Sequence, residues 1–314
     1  VDWLEAGIPE LRRALVQGGL SVSELVRLHL GRIDAVDAQV RAFTALRREA
    51  VLAEAAHQDA QLAELRSKTA GDFVAIEGAL PPLFGIPCSI KNCFAVQGLP
   101  WDGGALHRRS TIADFDAPAV QRLKRAGALV LGVTNVPEAL TWFETDNCVH
   151  GRTENPRKIG TSPGGSSGGE AAALAYGAAV FGLGTDMGSS IRLPAALCGI
   201  SGHKTSPGWV PGEGVWPQPE GKVLDYSVVG PMARDPRDLA LLLEVLSEKS
   251  MARGLPADFE VFAYRGPGEF KVSPEVEEAL GGAIQACRDR GWRVKEWEHE
   301  GLRRGSRLWL ARMG

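Results

Sequence analysis

Residues 159–191 constrain this chain more than any other stretch. They open with IGTSPGGSSGGE (159–170), pass through an Ala-rich run, and close with GTDMGSSI (184–191). Eleven of the 38 glycines fall between Gly160 and Gly202, about twice an even share. Only Glu170 and Asp186 are charged among these 33 residues, where the chain-wide 23% charged content predicts about seven or eight. A solvated loop of this length carries more charge. The segment is therefore expected to be buried, with a backbone that turns where glycine is favoured.

Both ends of the segment present serines on glycine-supported turns. Between them the pattern predicts a short helix, Glu170–Tyr176, and a buried strand, Ala178–Leu183. The helix leaves from the first serine cluster and the strand returns toward the second. Ser166 and Ser190, 24 residues apart in the chain, are thus expected to be neighbours. The turn at 186–190 also exposes successive backbone N–H groups, a geometry suited to an oxyanion. GxSxG occurs formally around Ser166 and Ser167, but a nucleophile elbow follows a strand, and here the loop NPRKIGTSP precedes it. A dinucleotide-binding fingerprint counted from Gly182 fails at Met187, where its third glycine is needed.

A serine hydroxyl needs a base. His107, His150 and His203 are the central histidines, and none has a supporting pattern. A lysine serves instead if burial lowers its pKa. Lys91 closes the apolar stretch GIPCSI (85–90), which suits that need.

The 314 residues allow two modest domains or one large one. Residues 1–66 read as helices. Ser21 and Glu24 form a capping box ahead of Val22, Leu25, Val26, Leu30 and Ile33 at helical spacing, and Arg47–Arg66 is rich in Ala, Glu and Leu. Residues 67–82 read as a linker. From Leu83 onward, strand-length apolar runs alternate with helices. Ile86–Ile90 is a strand, Asp116 and Pro118 open a helix to Ala126, and Ala128–Val133 is a strand. Further on, Asp235 opens a helix to Leu246, Phe259–Tyr264 is a strand, Ser273 and Pro274 open a helix to Arg290, and Trp292–Trp297 is a strand. Such alternation implies an α/β fold with a mixed or parallel sheet. The expected organisation is an N-terminal helical layer, 1–70, on a core, 71–314, as one structural domain.

A net charge of −3 weighs against a nucleic-acid binder. Five cysteines without a CxxC pair weigh against a disulfide framework or zinc ribbon and point to a reducing, cytoplasmic setting. The longest uncharged apolar stretch, Ala171–Gly184, has 14 residues, which is short of a membrane span.

Together these residues resemble the amidase signature family of Ser–cis-Ser–Lys hydrolases, over about Ile8 to Trp297. LFGIPCSIK (83–91) is similar to the family's lysine motif. TNVPEALTWFETDN (134–147) is similar to a segment of fatty acid amide hydrolases and fungal acetamidases, and GPMARD (230–235) to another recurrent segment. The resemblance implies a mixed central sheet covered by helices on both faces. It implies Ser190 as nucleophile, Ser166 as a bridging serine after a cis peptide from Gly165, and Lys91 as neutral base. The N–H groups of Met187, Gly188, Ser189 and Ser190 are implied as the oxyanion hole, with Asp186 and Arg192 bracing the turn. Leu140, Trp142 and Phe143 are implied by position to line the acyl pocket. The activity implied is hydrolysis of a small-molecule amide to acid and ammonia or amine through an acyl-enzyme, without cofactor or metal, and with homodimerisation an open option. Two alternatives stand beside it: an A-type component of a glutamine-dependent tRNA amidotransferase, and a non-catalytic protein of the same fold. WFET (142–145) favours stand-alone amidases over the first. Ser189 stands where the family usually has Gly, and Asn92 where an acidic residue is common. The chain opens on Val rather than Met, and family members usually continue with further strands. The expectation is a fragment, truncated at its C-terminus, with an uncovered sheet edge.

Overall fold

A computed structural model describes residues 2–251, 254, 259–265, 272–297 and 304–305. The chain divides into two compact units, Val1–Ser250 and Met251–Gly314.

The first unit opens with α1 (Ile8–Gln17), α2 (Val22–Val40), β1 (Phe43–Leu46), α3 (Arg48–Lys68) and α4 (Phe73–Ala79). It continues with β2 (Pro87–Lys91), α5 (Pro118–Arg125), β3 (Leu129–Thr134), α6 (Gly168–Ala175) and β4 (Phe181–Asp186). It closes with α7 (Arg192–Cys198), β5 (Ser201–Gly202), β6 (Val228–Ala233) and α8 (Asp238–Ser247). α2 starts where the capping box predicts. Ser21 accepts from the Glu24 N–H, and the Glu24 carboxylate accepts from the Ser21 N–H at 2.8 Å. Such a cap contributes about 1 kcal/mol. Val22, Leu25, Val26, Leu30 and Ile33 are all buried, as their spacing requires. α1 has no cap of its own, and Asp238 of α8 supplies one by accepting from the Ile8 N–H at 3.1 Å.

Six strands form one mixed sheet in the order β1-β3-β2-β4-β6-β5. β3, β2 and β4 run parallel, and β1, β6 and β5 pair antiparallel around them. α5 lies in the crossover from β2 to β3, and α6 in the crossover from β3 to β4. α6 packs on β2, β3, β4 and β6, while α3 packs on β3 and α8 on β6. Cys88 alternates with Ser89 to the other face of β2, where it feels the charges of Glu170, Lys124, Arg47 and Glu54. Lys91, Thr134 and Asp186 are the last residues of the three parallel strands. Polar groups therefore collect at the carboxyl ends of the parallel strands, where open α/β sheets bind ligands. Ile86, Ile90, Leu131, Val133, Phe181 and Leu183 are buried beneath them, each contributing roughly 1.5–3 kcal/mol.

Five elements go beyond the sequence pattern, among them α7 and β5, for which it gives no signal. β1 lies inside the stretch read as helical, α4 inside the linker 67–82, and β6 in a stretch holding Gly230 and Pro231. β4 begins three residues later than the apolar run and takes in Thr185 and Asp186, because both pair with β6. Asp116 does not cap α5. Its carboxylate takes the Lys124 ammonium at 2.7 Å and the Gln97 N–H at 2.9 Å, and Ala117 occupies the cap position.

In the second unit, β7 (Glu260–Ala263) and β8 (Arg293–Glu296) flank α9 (Pro274–Asp289). The sequence pattern places both strands in the central sheet. They pair instead with each other, in parallel, as a separate two-stranded sheet. α9 supplies the crossover that a parallel pair needs. The Phe259 and Trp292 rings meet edge to face at 5.0 Å just before the two strands.

Candidate active site

The site is assembled at the ends of β2 and β4 and at the start of α6. Lys91 is fully buried at the end of β2. Its Nζ lies 2.7 Å from Ser166 Oγ and 2.8 Å from Thr185 Oγ1. Burial pulls the lysine pKa down to about 8, with Cys93, Asp186 and Glu170 opposing the fall.

Ser166 precedes α6 and is 1% exposed. The Gly165–Ser166 peptide bond is cis. Gly165 is glycine for a steric reason, because a Cβ there would lie 2.7 Å from the Trp142 carbonyl oxygen. Gly168 and Gly169 are crowded in the same way by Thr145 and Asn135. Thr145 Oγ1 also donates to the Gly164 carbonyl at 2.8 Å. The 134–147 segment thus lies directly on the first serine turn. The low charge of 159–191 has its counterpart in burial: Ser166, Ser167 and nearly all of α6 are buried.

The second serine turn follows β4. The Ser167 N–H donates to the Ser190 carbonyl at 3.1 Å, which joins the two turns. Ser190 itself is half-buried and so within reach of a ligand. Asp186 organises the turn. Its carboxylate accepts from the N–H groups of Ser189 (3.0 Å), Ile191 (3.1 Å) and Arg192 (3.3 Å). The Arg192 guanidinium meets it with Nε and a terminal nitrogen, both at 2.9 Å. Burial pushes Asp186 upward, but Arg192, the Ile191 N–H and Lys204 outweigh it and hold the carboxyl well below its usual range. Because the Ser189 N–H is taken by Asp186, Ser189 does not fit the oxyanion role expected of it. The turn's remaining donors are the N–H groups of Met187, Gly188 and Ser190. Ser189 has a φ of +88°, the conformation that favours glycine.

Leu140 is half-buried, and the other two residues implied for the acyl pocket lie open. Trp142 is 66% and Phe143 48% exposed. Leu140 has a φ of +62° at the end of a short three-ten turn, Glu138–Leu140. Trp142 lines an open hollow of about 500 Å³ with Pro137, Glu138 and Asn147. A hollow of about 590 Å³, lined in part by Trp209, Val215 and Thr185, reaches the neighbour of the Lys91 amine. A hollow of about 600 Å³ bordered by Glu54, Phe84 and Arg125 contains none of the candidate site residues.

Among the described residues no histidine contacts either serine. His150 Nε2 is 3.0 Å from Asp102, and the His107 ring packs on Trp216. Thr185 and Lys204 join the site without a signal in the sequence, and Glu170 shows there only as one of the two charges in 159–191. Lys204 Nζ lies 3.3 Å from Asp186 Oδ1 and donates at 2.7 Å to the carbonyls of Asp186 and Tyr226. No local pattern assigns a role to any of the three, since each acts through residues distant in sequence. Among the described residues, no helix is long and apolar enough to cross a membrane, and no group of three metal-ligating side chains converges.

A family model described as Amidase matches residues 24–312. Fatty-acid amide hydrolase 2-A of Danio rerio is 40% identical over 237 residues, 76% of this chain and 44% of that protein. The A-type component of the glutamyl-tRNA(Gln) amidotransferase of a Roseiflexus strain is 38% identical over 305 residues, 92% of this chain and 59% of that protein. The native peptide amidase of Stenotrophomonas maltophilia superposes with a TM-score of 0.78 at 28% identity, over 95% of this chain and 63% of that one. The chain thus spans about half the length of the relatives it matches. The mixed sheet with its helical cover recurs in the peptide amidase, and the family match runs through both serine turns and Lys91: the chain belongs to the amidase family.

Proposed function

We propose that the protein hydrolyses a carboxylic amide to the acid and ammonia or an amine, with Ser190 as nucleophile, Ser166 as proton bridge and Lys91 as base. The observation that carries this reading is the buried 2.7 Å contact between Lys91 Nζ and Ser166 Oγ. A neutral amine has two N–H donors and one lone pair. With Thr185 Oγ1 accepting one N–H, the lone pair is free to face Ser166.

The chemistry follows from that arrangement. Lys91 takes the Ser166 proton as Ser166 takes that of Ser190. Ser190 Oγ then attacks the amide carbon, and the N–H groups of Met187, Gly188 and Ser190 meet the developing oxyanion. The proton returns through Ser166 to the leaving nitrogen as the C–N bond breaks, which an amide needs because an amide anion leaves poorly. Water, activated by the same relay, hydrolyses the acyl ester. Asp186 and Arg192 hold the turn, and Leu140, Trp142 and Phe143 border the approach to it. The five free cysteines suit a reducing, cytoplasmic setting.

Reaction with a fluorophosphonate, followed by peptide mapping and an ammonia assay on a simple amide, tests the reading. Labelling at Ser190 with ammonia release supports it, and an inert protein favours the non-catalytic alternative. A second reading, the A-type component of an amidotransferase, is favoured by the 92% of the chain that aligns with such a protein. Ammonia release from glutamine, with a partner chain co-purifying, would select it.

A further inference from the structure

Glu170 sits in the first turn of α6 and points into the sheet, with no exposed surface. Its carboxylate accepts hydrogen bonds from Ser89 Oγ and, at 2.7 Å, from Thr134 Oγ1. Ser89 precedes Lys91 by two residues on β2 and so shares its face. Thr134 is the cross-strand partner of Lys91 on β3. The carboxylate therefore lies against two residues beside the lysine, one on its own strand and one across on β3. Gly182 on β4 completes the niche, since a Cβ there would overlap Glu170 Oε1.

Two neutral hydroxyls compensate a buried carboxylate poorly. A glutamine would occupy the same space with no charge to solvate, so packing alone gives no reason for the acid. The charged and titratable groups around it are few. Lys91 is the cation that acts on Glu170, and the thiols of Cys88, on the other face of β2, and Cys93 both feel the charge of Glu170. Around Lys91 the others are Cys93 after β2 and Asp186 at the end of β4, and Asp186 is already matched by Arg192 and Lys204.

We propose that Glu170 is a positioning residue that sets the charge state of Lys91, holding the lysine protonated while its own carboxylate is ionised and favouring the neutral amine once it is protonated. The inference rests on the reading of Lys91 as base. Burial raises the Glu170 carboxyl to about 7, with Ser89, Thr134 and Lys91 opposing the rise, so it titrates close to the lysine's value of about 8. The acid limb of the activity is then a property of the pair.

The test is the pH profile of amide hydrolysis and of fluorophosphonate labelling at Ser190, from pH 5 to 10. In Glu170→Gln the negative charge is gone, the ammonium loses its support, and the acid limb moves down by about one pH unit. Ser89→Ala removes one donor from the carboxylate, makes it easier to protonate, and moves the limb the same way by less. A role confined to packing would lower the rate and leave the limb in place. An unmoved or upward-moving limb in Glu170→Gln, with Lys91→Ala inactive, overturns the proposal. If Glu170→Gln does not fold, the direction of the Ser89→Ala shift decides. Full amide turnover in Lys91→Ala would instead remove the reading of the base.

Discussion

Lys91 Nζ and Ser166 Oγ stand 2.7 Å apart, although 75 residues of chain separate them. The contact is fully enclosed, and it joins the end of a parallel strand to the turn that starts α6. An ammonium so placed costs several kcal/mol of desolvation, which is why its pKa falls and why a neutral amine is available near neutral pH.

Amide turnover should therefore rise with pH through an apparent pKa near 8 rather than near the ~10.4 of a free lysine. Lys91→Ala should lose amide turnover by at least ~100-fold, with part of any ester turnover surviving because an alkoxide leaves more easily. Rates across pH for an amide and its matching ester give the comparison. Equal losses on both substrates would argue against a proton relay to the leaving group.

Adjacent serines make the nucleophile assignment sharp. Ser190→Ala should abolish fluorophosphonate labelling, whereas Ser189→Ala should keep it. Mass spectrometry of the labelled peptide distinguishes the two. An adduct on Ser189 would reverse the assignment.

Ser189 also carries a backbone cost. At a φ of +88° a side chain is unfavourable by about 1 kcal/mol relative to glycine. Ser189→Gly should raise stability by about that amount while leaving Ser190 reactive, as chemical denaturation and labelling rate would report. A loss of stability would mean that the Ser189 side chain has a favourable contact outweighing the strain.

Much of this was legible in the sequence. The Ser21–Glu24 box fixes the start of α2, and short apolar runs mark β2 and β3. The low charge of 159–191 foretells burial, and the helix–strand pair between the serine turns foretells their meeting. The misses have separate physical causes. β1 is half-buried at every position, so it shows no alternation. β6 holds Gly230 and Pro231, poor strand formers rescued by pairing with β4 on one side and β5 on the other. The strands β7 and β8 look alike whether they join a large sheet or each other. The capture of the Ser189 N–H by Asp186 depends on the detailed path of one turn. Glu170 stands out in the sequence as one of two charges in 159–191, but its role appears only when the fold brings Ser89, Thr134 and Gly182 around it.

The buried histidine of α2 makes the last prediction. His29 has no exposed surface; Nδ1 lies 3.0 Å from the Gly177 carbonyl, and Nε2 is buried without a partner. Burial, reinforced by Arg234, lowers its pKa from 6.5 to about 4. The ring is neutral in the folded protein and protonates first in the unfolded chain. Its contribution to stability is therefore complete above pH 6.5 and is lost as pH falls toward 4, by roughly 3 kcal/mol in all. Asp238, raised to about 6 mainly by burial, and Glu170 work in the opposite direction, since protonation relieves each of them in the folded state. Those terms are common to parent and variant and cancel in a comparison. His29→Gln removes the titration and retains a side-chain amide able to donate to Gly177. It should cost stability at pH 7 and close most of the gap to the parent by pH 4.5, as urea unfolding at the two pH values would measure. A gap that stays constant between them would show that the histidine is already charged in the folded protein or that solvent reaches it.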